Sequence, residues 1–241
     1  FKYLLLHMSN VCVVTPTYNE RENLPFLAEK IFALNIPNTR LFVVDDNSPD
    51  GTGTIAETLA RKYPMSIIRR EKKEGLGKAY VDAFRKILSE EKCEYIVQMD
   101  ADLSHDPKVI PDMLKRVETH DIVVGSRYVK GGKIMHWHFL RRTLSRFGNI
   151  YARTILGLPY RDVTSGFKCY RRPVLAELMR GRFDSVGYNF QIEMLYRAHA
   201  RGFKILEIPI TFTERKIGSS KINLFIILES FYKVLLLRLH K

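Results

Sequence analysis

Apolar positions in the first half of the chain follow two alternating patterns. Short runs rich in β-branched residues read as buried strands: Val11-Cys12-Val13-Val14, Leu41-Phe42-Val43-Val44, Ser66-Ile67-Ile68, Tyr95-Ile96-Val97-Gln98-Met99 and Ile122-Val123-Val124. Longer segments with helical spacing lie between them, over residues 22–33, 54–63, 77–89 and 107–117. Pro107 suits the first turn of the last segment. Repeated βα units predict a mostly parallel sheet with helices on both faces.

The second half is less regular. Residues 129–137 contain Gly131-Gly132 and read as a loop, and 138–157 read as a basic amphipathic helix carrying Arg141, Arg142, Arg146 and Arg153. Ile205 to Phe212 is strand-like. The apolar stretch from Leu224 to Leu239 is broken by Glu229 and Lys233, too short and too charged to span a bilayer. It predicts an amphipathic helix. The expected organisation is one domain over 1–221 and a C-terminal amphipathic helix over 222–241 that touches a membrane surface.

In parallel sheets, ligands bind beyond the carboxyl ends of the strands. Three strand ends carry polar groups there: Pro16, Tyr18 and Glu20; Asp45-Asp46; and Asp100-Ala101-Asp102. Two carboxylates one residue apart suit a hard cation, Mg²⁺ or Mn²⁺, which bridges carboxylates to phosphates. Asp46 suits a ribose hydroxyl or a base edge, or serves only a turn with Asn47-Ser48-Pro49-Asp50-Gly51. Gly75-Leu76-Gly77-Lys78 precedes a helix as a phosphate loop does, but full Walker spacing is missing. No Gly-x-Gly-x-x-Gly follows the first strand. A P-loop NTPase and a dinucleotide dehydrogenase are thereby disfavoured. The basic segment Arg215-Lys216-Ile217-Gly218-Ser219-Ser220-Lys221 has the composition of a lid over a diphosphate. His105, His136 and His138 lack metal-type spacing and read as structural or surface groups.

Charge sharpens this picture. The 241 residues carry 39 Lys and Arg against 26 Asp and Glu, a net +13. Such an excess favours an anionic partner: nucleic acid, an acidic membrane or phosphorylated substrates. A nucleic-acid or purely membrane-binding role leaves the paired aspartates without purpose. Cys12, Cys93 and Cys169 are far apart, so buried thiols are expected rather than a disulfide framework or a zinc site. Residues 1–10 show no secretory pattern, and a start at Phe1 is expected of a trimmed chain.

Taken together, several segments resemble glycosyltransferase family 2, with its GT-A, Rossmann-like fold, and within it the dolichyl-phosphate (polyprenyl-phosphate) mannose synthases. They are residues 15–23 (TPTYNEREN), 44–52 (VDDNSPDGT), 99–105 (MDADLSH), 125–128 (GSRY), 162–167 (DVTSGF) and 187–193 (GYNFQIE). The resemblance implies transfer of mannose from GDP-mannose to dolichyl or polyprenyl phosphate, with inversion. Pro16, Tyr18, Glu20, Val44 and Asp46 would hold the donor nucleotide; Asp100, Ala101 and Asp102 the metal and donor; Arg127, Arg215 and Lys221 the phosphates. On fewer matching residues, Arg141 and Ser145 would place the acceptor phosphate. Archaeal relatives carry Gln two residues after the second aspartate, where this chain has Ser104. A related synthase using UDP-glucose stays open as an alternative.

A lipid monophosphate with a second pKa of about 6 is largely a dianion near neutrality. Its oxygen needs no general base, so the burden falls on positioning two anions. The implied location is the cytoplasmic face of a membrane, the endoplasmic reticulum in a eukaryote or the plasma membrane in a prokaryote, held peripherally or through a membrane-anchoring partner subunit.

Overall fold

The computed structural model describes residues 10–183, 187, 189–215 and 224–239, with side chains in the last segment from residue 230 onward. Four strands from the first half pair in parallel: β1 (Val11–Thr17), β2 (Thr39–Asp45), β3 (Met65–Arg69) and β4 (Tyr95–Gln98). β5 (Ile122–Ser126) and β8 (Ile205–Pro209) also pair in parallel. β7 (Lys168–Arg171) runs antiparallel between β4 and β5, giving the order β3-β2-β1-β4-β7-β5-β8. Mostly parallel strands flanked by helices are the architecture expected from the βα repeats.

Successive residues of a strand face opposite sides of the sheet, and each side has its own core. Val11 and Val13, Leu41 and Val43, and Val97 pack beneath α1 (Asn23–Phe32), α2 (Thr52–Ala60) and α4 (Ile110–Val117). Cys12 and Val14, Phe42 and Val44, and Ile96 face α3 (Leu76–Glu90), α6 (Arg172–Met179) and α7 (Asn189–Ala200). α5 (Phe139–Leu156) lies on this second side and is partly covered by α8 (Leu224–Leu239). Phe231 packs on Tyr151, with ring centroids 4.5 Å apart, and Val234 is buried. Among the described residues, no helix is long and apolar enough to cross a membrane.

Three expectations are corrected. Residues 129–137 are not only loop, because β6 (Lys133–Met135) pairs in parallel with β9 (Thr211–Thr213). The strand-like run 205–212 is two strands, broken at Ile210, whose N–H bonds the Ser126 carbonyl while its own carbonyl accepts from Lys133. Cys12 and Cys93 are joined in a disulfide, with Cα atoms 5.9 Å apart, rather than lying as separate thiols. They meet because Val11 is in register with Tyr95, a sheet contact that a separation of 81 residues conceals. Among the described residues Cys169 is a free, buried cysteine.

Candidate active site

The carboxyl ends of β1, β2 and β4 meet at one edge, and each presents the polar residues that follow it. β1 extends three residues past its apolar run because Thr15, Pro16 and Thr17 stay in register with Val43, Val44 and Asp45. The two aspartates ending β2 then divide their tasks. Asp45 accepts from the Ser48 hydroxyl (2.6 Å) and the Thr17 hydroxyl (3.3 Å), so it closes the turn. Asp46 points the other way, into a buried ion pair with Arg70. Val44 is wholly buried and its carbonyl accepts from Thr17, so its side chain supports the floor instead of facing the edge. Tyr18 stands at the rim with the Lys73 ammonium 3.7 Å from its ring centroid. The Glu20 carboxylate accepts from Asn23 (2.8 Å), and its backbone N–H donates to Thr52 (3.0 Å).

Beyond β4 the chain turns sharply. Leu103 takes φ +60°, a backbone conformation uncommon for a leucine. This turn brings Asp100, Asp102, Ser104 and His105 together. Asp102 accepts from the Ser104 N–H (3.1 Å) and pairs with Arg215 at 2.9 Å. Asp100 keeps 31% of its side chain exposed. Desolvation by the surrounding protein and then the charge of Asp102 push its carboxyl up to about 7. Tyr80 donates to the Met99 carbonyl (3.1 Å) and lies 3.4 Å from Asp100. Ala101 is buried in the core beneath this turn.

His105 is buried, so of the two readings the structural one holds. Its Nδ1 faces the Asp100 N–H at 3.4 Å, and its ring stacks on Phe167, with centroids 5.1 Å apart. Burial pushes the imidazole down to about 4, so near neutrality it is an uncharged acceptor steadying the carboxylate turn. Lys168, on β7, is fully buried, donating to the Ser165 carbonyl and to Gln191, each at 2.6 Å. Burial pulls its pKa down to about 7, against the opposing pull of Asp162 and Asp100.

The arginines expected at the phosphates are already partnered. Arg127 follows β5, and its Nε and Nη2 each donate to Asp162 at 2.7 Å, while Nη2 also reaches Thr164. Burial disfavours charge at Asp162, but Arg127 outweighs it and holds the carboxyl below its usual range. Gly132 is required here, since a Cβ would lie 2.7 Å from the Arg127 backbone. Arg141 pairs with Glu214 at 2.5 Å and lies over Trp137, 4.3 Å from the ring centroid. The Ser145 hydroxyl accepts from Tyr128 at 2.9 Å. Lys221 lies outside the described residues.

The residues that hold these groups in place were not singled out from the sequence: Arg70, His105, Asp162, Lys168 and Glu214. Of these, His105 and Asp162 lay in segments that carried a signal. Gly75-Leu76-Gly77-Lys78 sits not at the paired carboxylates but beside Asp46, whose Oδ2 faces the Gly75 N–H at 3.4 Å.

The donor set around Asp100 suits a hard cation. It is all oxygen, and among the described residues the buried Ser104 hydroxyl has no hydrogen-bond partner. Gly166 permits the approach, since a Cβ there would stand 3.1 Å from an Asp100 carboxylate oxygen.

Comparison with known proteins accords with this geometry. Residues 12–179 match the model for Glycosyl transferase family 2. A polyprenol monophosphomannose synthase of Mycolicibacterium smegmatis is 43% identical over 225 residues, 92% of this chain and 84% of that protein. An undecaprenyl-phosphate mannosyltransferase of Micrococcus luteus is 42% identical over 214 residues, 88% and 87% of the two chains. Among solved structures, a glucosyl-3-phosphoglycerate synthase of Mycobacterium tuberculosis with Mn²⁺, UDP-glucose and phosphoglyceric acid superposes with a TM-score of 0.71. The match has 17% identity and covers 97% of this chain and 79% of that one. With its fold, the extent of the family match and these relatives, the chain belongs to glycosyltransferase family 2.

Proposed function

We propose that this protein transfers mannose from GDP-mannose to a polyprenyl or dolichyl monophosphate, inverting the anomeric centre, with a divalent cation. The observation that carries the reading is the Asp100/Asp102 pair, set beside Arg215 at the edge where Tyr18 and Asp46 also emerge. The names of the two bacterial relatives support mannose and a polyprenyl phosphate.

An acceptor phosphate oxygen attacks C1 of mannose, the bond from C1 to the β-phosphate oxygen breaks, and its electron pair leaves on GDP. No proton moves, which is consistent with His105 being spent on the Asp100 backbone. Mg²⁺ or Mn²⁺ held by Asp100 and Asp102, with Ser104 in the same turn, would offset charge on the leaving diphosphate. Arg215 would turn from Asp102 to those phosphates. Arg127 and Arg141 would hold the acceptor phosphate against its repulsion from the donor, and Lys221 would contribute a further positive charge.

A membrane surface is the setting we propose, because the acceptor is a lipid. α5 exposes Phe139, Leu140, Leu144, Phe147 and Ile150. Beside them opens a pocket lined by Tyr128, Arg146, Asn149, Ile150, Arg153 and Arg161, a setting for anionic headgroups. Anionic vesicles should therefore sediment the protein. Vesicles that leave it in the supernatant would point instead to a membrane-anchoring partner subunit.

The deciding assay is transfer of radiolabelled sugar to polyprenyl phosphate with Mn²⁺ or Mg²⁺. GDP-mannose should be used and UDP-glucose should not, and Asp102→Asn should abolish turnover. Turnover confined to UDP-glucose would overturn the mannose reading. Intact turnover by Asp102→Asn would overturn the metal assignment.

A further inference from the structure

The end of β3 carries a charge cluster of which only Asp46 has a part in the reaction just described. The Arg70 N–H donates to the Asp45 carbonyl at 2.9 Å, extending the β2–β3 ladder by one bond. That bond brings the Arg70 side chain beside Asp46. Its guanidinium, 6% exposed, binds three carboxylates from three parts of the chain. Nη1 donates to Asp46, Nη2 to Glu74 at 3.0 Å, and Nε to Asp82 at 3.1 Å. A planar fork of five N–H donors suits such a junction, which a lysine ammonium cannot reproduce.

Each partner has a different place. Asp46 follows β2, Glu74 lies in the connection leading to α3, and Asp82 lies on α3. That connection also carries Lys73, set against the Tyr18 ring, and Gly75, whose N–H faces Asp46. Gly75 takes φ +98°, a backbone region that disfavours other residues. Arg70 thus ties down two of the residues assigned to the donor nucleotide: Asp46 directly, and Tyr18 through the segment bearing Lys73. Without Arg70, three carboxylates would lose their shared cation, and the buried Asp46 would lose the group fixing its orientation.

We propose that Arg70 is a positioning residue for donor recognition, which holds the Asp46 carboxylate and the 71–75 segment in the shape that receives the nucleobase. The role rests on the assignment of Asp46 and Tyr18 to the nucleotide. It acts on donor binding rather than on the Asp100/Asp102 centre, so it separates KM from kcat. With Oδ1 of Asp46 committed to Arg70 and Oδ2 facing the Gly75 N–H at 3.4 Å, the remaining lone pairs suit N–H groups on the edge of a purine or pyrimidine.

The test is steady-state transfer by the full chain with Arg70→Met, Arg70→Lys and Asp82→Asn, alongside calorimetric titration of GDP and UDP. Arg70→Met should raise the KM for GDP-mannose about tenfold or more and weaken GDP binding in step, with kcat within about threefold of wild type. Arg70→Lys should recover part of the loss, because it restores charge without the fork. In an Asp46→Asn background, Arg70→Met should add little further to KM, since both act through one carboxylate. An unchanged KM in folded Arg70→Met, or a fall in kcat at constant KM, overturns the proposal. Should Arg70→Met fail to fold, Arg70→Lys and Asp82→Asn carry the same test, and a wild-type KM in both overturns it. A wild-type protein that binds neither GDP nor UDP sinks the nucleotide assignment and this role with it. Normal GDP binding by both wild type and Arg70→Met sinks the role alone.

Discussion

Asp162→Asn tests the internal support of the site most directly. Asp162 is fully buried, and its partner Arg127 is 9% exposed. Oδ2 accepts from the Arg127 backbone N–H at 2.9 Å and from Nε at 2.7 Å, while Oδ1 accepts from Nη2 at 2.7 Å. Asparagine removes the charge and turns an N–H₂ group toward a guanidinium that has only donors. Arginine cannot shed its proton, so the variant buries an unpaired cation. Breaking a buried pair from one side costs about 3–5 kcal/mol. For a chain of this length, each kcal/mol shifts the melting temperature by roughly 2–4 °C, so a fall of roughly 6–20 °C is expected. Replacing both partners, as Asp162→Asn with Arg127→Met, should recover part of that loss. The pH dependence supplies a second check. The Asp162 carboxyl lies below its unfolded value in the folded protein. Its contribution is therefore present above the unfolded carboxylate pKa, about 3.9, and is lost as pH falls through the folded value. The gap between wild type and variant should close on acidification. A melting temperature within about 2 °C of wild type at neutral pH would refute the reasoning.

Three further outcomes follow from the same geometry. Lys168 titrates at about 7 in the fold. Between there and its unfolded value of about 10.4 the unfolded chain binds more protons. Wild-type stability should therefore rise relative to Lys168→Met, by at most about 1.4 kcal/mol per pH unit, in urea melts from pH 7 to 9.5; a flat difference would refute this. Gly166→Ala places a Cβ 3.1 and 3.3 Å from the Asp100 carboxylate oxygens. Transfer should fall about tenfold while the melting temperature stays within a few degrees, since small displacements of a reacting centre cost rate before stability. Arg215→Ala removes the cation that faces Asp102 at 2.9 Å. Mn²⁺ binding without nucleotide, followed by electron paramagnetic resonance, should tighten while transfer falls about 10²–10³-fold; weaker Mn²⁺ binding would show that Arg215 does not compete for Asp102.

The strands that place the site were legible because each is a short apolar run buried on both faces. The helices between them were legible from their spacing. β7 was not, since Lys-Cys-Tyr-Arg has no apolar run. Its fit depends on neighbours distant in sequence: Lys168 is buried among the Ser165 carbonyl and Gln191, and Tyr170 donates to Gln98. β6 was hidden because Lys133–Met135 is mostly exposed and needs β9 as its partner. The paired aspartates were visible as a motif at a strand end, whereas the groups that hold them were not. His105 had no spacing that distinguished it from a surface histidine. Arg70 reads as one basic residue in a basic stretch until folding sets three carboxylates around it.

The charge of the chain and the chemistry of the site concern different surfaces. A net +13 suggests a phosphate site rich in free cations. Yet Arg70, Arg127, Arg141 and Arg215 all face carboxylates. Their charge is compensated, and their value is in geometry, because a cation fixed by a carboxylate keeps its direction. The cost of redirecting each follows from its burial. Arg141 and Glu214 are each more than a quarter exposed and exchange partners cheaply. Arg215 is intermediate, at 19%, and its partner Asp102 can pass to a metal. Arg127 is held bidentately by a fully buried carboxylate and stays where it is. Positive charge without a carboxylate gathers at one pocket, lined by Arg146 and Arg153 of α5 and by Arg161 beyond its end, none of which forms an ion pair among the described residues. The same pocket is lined by Ile150, one of the exposed apolar residues of α5. On the proposed function, this pocket is suited to an anionic lipid surface, while the reacting phosphates would meet cations whose charge is already compensated.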